Sequence, residues 1–213
     1  MQKKEPDTSD ERIIEIPVYH GSSKIVDISD ILFPGPRADC DFGRGFYVTQ
    51  HKTIAEEWVI NEDTPIINKY VLKAPESDIL RLTGRDWLRV VIGYRTNALK
   101  TSLKSPIVCG TIANDRLVPS FNAFMGDTIG DLRLLECLEL AELGDQYSLR
   151  ESAKYLRWEG SYSLRGMELD RAISRNRKRM QNVHNRVREI YRKHVDGEKY
   201  FYEYLDEGGY NEV

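Results

Sequence analysis

A glycine-rich turn that leads directly into an aromatic strand, at residues 41–49, is the feature that most restricts the fold of this chain. The nine residues read Asp-Phe-Gly-Arg-Gly-Phe-Tyr-Val-Thr. Glycine accepts backbone angles and close approaches that other residues do not, so Gly43 and Gly45 predict a tight loop against which something packs. In the strand, Phe46 and Tyr47 point to opposite faces. We expect Tyr47 to offer its ring and hydroxyl to a cleft; the alternative is a glycine bend whose tyrosine only packs.

Strands and helices follow one another without regular alternation, which predicts an α+β fold and not a doubly wound sheet. Apart from the strand after the glycine turn, strands are predicted at residues 13–19, 66–72, 106–110 and 145–150, and helices at residues 53–58, 86–97 and 131–143. The first of these helices is expected to begin with a capping box of Thr53 and Glu56. His20 follows the first strand, and Gln146 lies on one face of the last.

Composition excludes several classes of protein. The formal net charge of −3 makes the whole molecule a poor ligand for polyanions. Three cysteines without metal-type spacing predict reduced thiols and no metal site. No stretch resembles a signal peptide or membrane span, so we expect a soluble, cytoplasmic protein without membrane contact.

The chain divides into three predicted parts: a flexible tail at residues 1–12, a domain at residues 13–160 and a basic helical extension at residues 161–213. Residues 165–193 carry ten basic and three acidic residues. A coiled-coil-like apolar stripe also runs through this segment, with Asn176 on the same seam. The apolar members of the stripe are Leu169, Ile173, Met180, Val183, Val187 and Ile190.

Three readings of the extension stay open. The helix folds back on its own domain as a solvated helix, or it pairs with a partner or a second copy through residues 165–194. RNA binding is the least favoured, because the segment lacks interleaved exposed aromatic residues.

Three motifs, in order, resemble the bacterial DUF3990 family. They are His-Gly-Ser at residues 20–22, the run at residues 41–49, and Ile-Val-Cys-Gly-Thr-Ile-Ala-Asn-Asp at residues 107–115. The similarity covers residues 18–158. It implies an ADP-ribosyltransferase-like fold, a split mixed or antiparallel sheet with flanking helices, to which this chain adds a long C-terminal helix.

The resemblance implies that NAD is bound as a substrate in the cleft. His20 would bond the adenosine ribose, Gly21 would meet the nicotinamide amide through its backbone, and Tyr47 would stack on nicotinamide. Ser22, Arg44 and Gly45 complete the expected cofactor-binding set, with Arg44 on the diphosphate through its planar guanidinium or else only solvated. Gln146 takes the third position of a His-Tyr-Glu triad.

The glutamine is the main departure from that triad. Gln146 accepts a hydrogen bond from a ribose hydroxyl, but it carries no charge to stabilise an oxocarbenium-like state and cannot act as a base. Asp115 and Glu151 are candidates to compensate, and Asn114 replaces a second acid at its position. Asp115 is the preferred site acid.

Other polar residues have weaker claims. Arg95 is expected to form a structural ion pair at a helix end. Cys40 lacks a neighbouring base, so a catalytic thiol is disfavoured. No catalytic or ligand-binding motif is recognised around His51, His184 or His194.

The resulting expectation is a bacterial mono-ADP-ribosyltransferase that modifies a protein or nucleic-acid acceptor, in the role of a toxin with an antitoxin partner. NAD glycohydrolase activity and a non-catalytic NAD-binding or partner-binding module are the alternatives.

Overall fold

The computed structural model describes residues 11–113 and 120–212, and these residues build a mixed seven-stranded sheet with helices. The strands are β1 (Ile13–Ser22), β2 (Phe46–Thr49), β3 (Ile66–Pro75), β4 (Ile79–Leu82), β5 (Thr101–Ser102), β6 (Ile107–Thr111), β7 (Asp145–Leu149), β8 (Leu156–Ser163) and β9 (Tyr210–Asn211). The order in the sheet is β4-β6-β7-β2-β1-β3-β8, in which β4 and β6 are parallel and the other neighbours antiparallel. Strands β5 and β9 form a separate parallel pair. The α+β prediction is confirmed.

Six α-helices lie in the described part of the chain. They are α1 (Lys52–Trp58), α2 (Gly84–Thr96), α3 (Ser120–Met125), α4 (Asp131–Leu140), α5 (Met167–Arg192) and α6 (Phe201–Glu207). Helix α2 was predicted at residues 86–97, and its apolar residues Trp87, Val90 and Val91 share one face and are buried against the sheet. The helix ends at Thr96, and Asn97, whose backbone is left-handed (φ 54°), caps it.

The sheet opens between β1 and β2. These strands share a single registered pair, Tyr19 with Thr49. Continuing the antiparallel register would pair Gly21 with Tyr47, but no such pair forms although both residues are described. Strand β1 instead pairs with β3 along its whole length, as far as Ser22. The sheet therefore has two halves, β4-β6-β7-β2 and β1-β3-β8, joined at one position.

The two faces of the sheet differ in what covers them. Thr49 is registered with both Tyr19 and Gln146, so these three residues lie on one face, and alternation places Tyr47 there too. Helices α1, α2, α4 and α5 pack over this face. The other face carries His20 and Phe46 and encloses an apolar core formed by the strands and the segment at residues 26–33.

The long helix α5 folds back on its own domain. Its buried side chains are Ala172, Val183, Val187 and Ile190. Val183, Val187 and Ile190 pack with Ile54 of α1 and Cys137 of α4. The apolar stripe that suggested pairing with another helix is thus largely used within the chain. Met180, by contrast, is 45 % exposed at the edge of the stripe.

Several predicted boundaries were wrong. The predicted capping box at Thr53 does not form: α1 begins after His51, and the Glu56 side chain instead accepts a hydrogen bond from the Tyr162 hydroxyl (2.9 Å) and pairs with Arg175. Helix α4 ends at Leu140, three residues before its predicted end at residue 143.

The ends of the predicted domain also look different in the structure. Strand β8 runs across the boundary expected at residue 160. Most of the predicted tail lies outside the described residues, but Glu11 accepts a hydrogen bond from Ser77 and the Arg12 carbonyl accepts one from the Glu76 N–H.

Candidate functional site

His20 lies at the opening between β1 and β2 and reaches across it. Its Nδ1 is 2.8 Å from the main-chain oxygen of Tyr47. A carbonyl oxygen only accepts, so Nδ1 carries the proton and Nε2 is left as an acceptor. Burial lowers the pKa of His20, and the bond to the carbonyl opposes this only in part. The imidazole is therefore neutral, with Nε2 not hydrogen-bonded to any described residue.

The two residues after His20 are held by the protein itself. A Cβ on Gly21 would lie 2.6 Å from the Ala55 carbonyl oxygen and 2.8 Å from a methyl carbon of Val59, so glycine is required for α1 to pack here. Ser22 donates to the Lys24 carbonyl (2.5 Å) and accepts from Nδ2 of Asn68 (3.1 Å). Both residues remain partly exposed along the opening.

Tyr47 uses its hydroxyl within its own loop. The phenol donates to the Gly43 carbonyl (2.7 Å) and accepts from the Phe42 N–H (3.0 Å), and its ring stacks with that of Phe42 at 6.3 Å. Burial raises the pKa of Tyr47 well above its usual value. The expectation that the hydroxyl faces a cleft was wrong, whereas stacking of the partly exposed ring on a ligand stays a prediction.

The glycines of the motif are required by contacts within the fold. Gly43 has φ +73°, and a Cβ there would lie 2.5 Å from the ring of Tyr94. A Cβ on Gly45 would lie 2.3 Å from Oγ of Ser148. What lies against these glycines is therefore the α2 tyrosine and strand β7.

A buried polar network that the sequence did not predict surrounds Gln146. Its Nε2 donates to Oδ2 of Asp41 (2.5 Å). Oδ1 of Asp41 accepts from Arg95 Nε (2.7 Å) and forms an ion pair with Arg95 Nη2 (2.5 Å). The Ala113 N–H also donates to Oδ2 of Asp41 (3.1 Å). The Arg95 guanidinium lies 4.9 Å from the ring centroid of Phe121. The prediction that Arg95 forms a structural ion pair is confirmed.

The network fixes the orientation of Gln146. Burial raises the pKa of Asp41, while Arg95 and the Ala113 N–H act in the opposite direction. A carboxylate that receives donors at both oxygens requires the amide NH₂ group of Gln146 to face it. The Oε1 atom is therefore directed away from Asp41, and it has no hydrogen-bond partner among the described residues.

The triad residues predicted from the sequence do not all share one face. Tyr47 and Gln146 lie on the helix-covered face, while the His20 ring packs on Phe46 at 4.5 Å on the other. Only the opening between β1 and β2 brings His20 close to Tyr47, through the main chain.

Arg44 lies outside this opening. Its Nη1 donates to the carbonyls of Gly35 (3.1 Å) and Pro36 (2.7 Å). The side chain lines a pocket of about 440 Å³ together with Tyr94, Arg150 and other residues, among them Glu151. His20, Tyr47 and Gln146 do not line that pocket.

Asp115, the preferred site acid, and its neighbour Asn114 lie outside the described residues. Cys40, Cys109 and Cys137 are free thiols, and burial raises the pKa of each. Within residues 11–113 and 120–212 no group of His, Cys, Asp and Glu side chains is arranged to hold a metal ion. The helices in these ranges are all too short or too polar to cross a bilayer.

Comparison with known proteins identifies one family. Residues 16–158 match the family described as protein of unknown function (DUF3990). No curated protein and no solved structure matches the chain. The match covers the opening between β1 and β2, the glycine turn, Asp41, Arg95 and Gln146.

Proposed function

We propose that this chain, which belongs to the DUF3990 family, binds NAD in the opening between β1 and β2 and transfers its ADP-ribose to a macromolecular acceptor. The supporting observation is the position of the opening. Pairing between β1 and β2 stops after Tyr19 and Thr49, where the His-Gly-Ser motif faces the strand that follows the glycine turn. A ligand between diverging strands meets both backbones, so residues from both faces of the sheet can contribute.

His20 suits the ribose role. Its Nδ1 is occupied by the Tyr47 carbonyl (2.8 Å), which leaves Nε2 as the acceptor for a ribose hydroxyl. The low pKa of the imidazole keeps this acceptor unprotonated near neutral pH. Gly21 would meet the nicotinamide amide through its main chain, because α1 fills the space where a side chain would lie.

Gln146 acts by orienting the sugar and not by its charge. Asp41 lies 2.5 Å from Nε2, but Arg95 neutralises that carboxylate at 2.5 Å. The pair therefore adds little net negative charge at the reacting ribose. Asp41 is a positioning residue, which directs Oε1 of Gln146 towards a ribose hydroxyl.

The proposed reaction breaks the bond between nicotinamide and the ribose anomeric carbon. Nicotinamide leaves with the bonding electron pair, and the acceptor nucleophile forms the new bond to that carbon and loses its proton. The transition state resembles the oxocarbenium ion of glycoside cleavage. With an amide where a carboxylate would stabilise that charge, we expect slow, single-unit transfer.

NAD binding without bond cleavage is the second candidate. The observation that favours it is the same amide: Gln146 is uncharged, and its NH₂ group is bound within the Asp41–Arg95 network. The toxin role and an antitoxin partner stay predictions.

The experiment incubates the full chain with NAD labelled on the adenylate, alone and with a cell lysate. Nicotinamide, free ADP-ribose and labelled macromolecules are measured, and NAD binding is measured by calorimetry. His20→Ala is compared with His194→Ala, a matched control because the His194 side chain is 93 % exposed and, among the described residues, bonds only Asp196.

We expect binding by the native chain and a loss of at least about tenfold, ~1.4 kcal/mol, in His20→Ala alone. Released nicotinamide with labelled acceptor supports transfer. Free ADP-ribose in its place identifies a glycohydrolase, and binding without nicotinamide release identifies a binding module. Absence of NAD binding, or equal binding by the two histidine variants, rejects the proposed site.

A further inference from the structure

Helix α5 presents a basic face to solvent on the side opposite its buried stripe. Viewed down the helix at 100° per residue, five basic residues lie roughly 120° to 180° from the direction of Val183. They are Arg171, Arg177, Lys178, Arg188 and Arg192, and all five are exposed. We call this set the outward basic face.

The outward basic face has no acidic partners of its own. None of its five side chains forms an ion pair or a hydrogen bond with any described residue, although Asp170 and Glu189 lie on the same side of the helix. By contrast, Arg179 on the flank of α5 pairs with the buried Glu57 at 3.1 Å, and Arg175 pairs with Glu56. Structural ion pairs account for Arg175 and Arg179, whereas the outward face keeps five basic residues, unpaired within the described part of the chain, against two acids, Asp170 and Glu189.

The groove beside α5 is a weaker candidate than this face. A space of about 220 Å³ lies between the end of α4 and α5 and is lined by several basic residues. Of these, Arg179 also donates to the carbonyls of Ala141 (2.7 Å) and Glu142 (3.1 Å). Arg175 and Arg179 are therefore committed to the fold, whereas Lys178, which also lines the groove, belongs to the outward basic face.

Charge is segregated along the chain. Residues 165–193 have a surplus of seven positive charges, so the remainder carries −10 to reach the net −3. Five of the ten basic residues form the outward basic face, which extends over about 31 Å between Arg171 and Arg192 at 1.5 Å per residue. A linear array of this kind fits a linear polyanion.

The chemistry of the face favours phosphate. Four of the five residues are arginine, whose planar fork binds phosphate oxygens in a bidentate manner. Ser174, Gln181 and Asn185 lie between them and are exposed, as hydroxyl and amide groups that bond to phosphate and sugar. The face has no aromatic side chain on which an unpaired base would stack.

We propose that the outward basic face of α5 binds the phosphate backbone of a nucleic-acid duplex without reading its sequence. The inference shares no residue with the proposed NAD site, so either can fail without the other. Pairing of α5 with another helix is not needed to account for most of the stripe, because Val183, Val187 and Ile190 are buried against α1 and α4.

The test measures binding of the full chain to fluorescent DNA and RNA duplexes of about 20 base pairs, roughly twice the length of the face. One variant combines Arg177→Gln, Arg188→Gln and Arg192→Gln. The matched control combines Arg12→Gln, Lys73→Gln and Arg157→Gln, which removes the same charge from side chains 79 %, 63 % and 65 % exposed. Single strands and polyglutamate are competitors, and thermal unfolding checks that both variants fold.

We expect salt-dependent binding by the native chain that weakens steeply between about 50 and 200 mM salt. The α5 variant should lose at least about tenfold in affinity, with a salt slope lower by up to about 2.7, while the control stays within about threefold. Equal losses in the two variants overturn the assignment to α5. Failure of the native chain to bind at low salt, or equal affinity for polyglutamate or single strands, overturns the duplex proposal.

Discussion

Asp41 Oδ2 lies 2.5 Å from Nε2 of Gln146, and this contact joins the head of the glycine turn to strand β7. The same carboxylate holds Arg95 of α2 and the N–H of Ala113. Four separate segments therefore meet at one buried carboxylate. The charge of the residue at position 146 matters to the fold as well as to any chemistry.

Replacing Gln146 by glutamate should destabilise the protein. The new carboxylate would face Asp41 where an amide N–H now donates, and two buried like charges in contact cost about 3 kcal/mol. Adding Asp41→Asn should recover part of the loss, since asparagine can donate to the glutamate, but not all, because Arg95 and Ala113 then compete for one oxygen. Urea unfolding of the native, single and double variants measures this. A double variant less stable than Gln146→Glu alone would refute the pairing.

Tyr47→Phe separates the two roles of this tyrosine. Loss of the hydroxyl leaves the Gly43 carbonyl and the Phe42 N–H without their partner, which costs about 1–3 kcal/mol. If the ring stacks on nicotinamide, calorimetry should show that Phe retains NAD affinity while Tyr47→Ala does not. Tyr202→Phe is the control for stability, because Tyr202 is 54 % exposed and the change should stay within about 0.5 kcal/mol. Equal stability losses in the two phenylalanine variants would contradict the role of the loop hydrogen bonds.

Gly45→Ala should cost about 2–3 kcal/mol by overpacking. The added carbon would lie 2.3 Å from Oγ of Ser148 and 2.8 Å from the Leu149 carbonyl oxygen, and Ser148 is fully buried. Gly126→Ala is the comparison, since its nearest neighbour would be at 3.4 Å. The midpoint of thermal unfolding of Gly45→Ala should be well below that of Gly126→Ala. Similar midpoints would mean that β2 and β7 move apart at little cost in stability.

The ionisation of Asp131 makes the free energy of unfolding depend on pH in the acidic range. Burial alone would raise its pKa, but Arg85, the Lys199 N–H and the Tyr204 hydroxyl together hold the pKa below its usual value. A lowered folded-state pKa means that the unfolded chain binds the proton first. The stabilisation is therefore complete above the unfolded pKa of about 3.9 and is lost as the pH falls through the folded value.

Asp131→Asn tests this relationship. At neutral pH the variant should lose about 3 kcal/mol, because Arg85 and Tyr204 keep a weaker acceptor. Urea unfolding from pH 7 to pH 3 measures the free energy of unfolding of both proteins. The difference between the native protein and the variant should narrow below about pH 4. A gap that is constant with pH would exclude a role for the carboxylate charge.

Local sequence patterns predicted those helices and strands whose tertiary packing agrees with the local pattern. The predicted helix at α2 and the predicted strand at β6 are confirmed. In α2 the apolar residues form one buried face, and nearly all of β6 lies in the core. The capping box at Thr53 was wrong since Glu56 is bound by Tyr162, a residue more than a hundred positions away. Strand β8 was missed.

The site was less predictable than the fold. Proximity of Asp41 to Gln146 depends on how a loop lies over β7, and no local pattern encodes that. The alternation of side chains along a strand correctly placed Phe46 and Tyr47 on opposite faces of the sheet. It did not predict that His20 lies on the same face as Phe46.

The single pair of Tyr19 and Thr49 has a consequence for how the chain folds. Strands β1, β3 and β8 belong to one half of the sheet, and β2, β4, β6 and β7 belong to the other. The chain thus passes between the halves four times, so neither half is a contiguous segment. Removing either would cut the other into pieces. We therefore expect the two halves to unfold as one cooperative unit because their connectivity is interleaved, although the ladder between β1 and β2 is short.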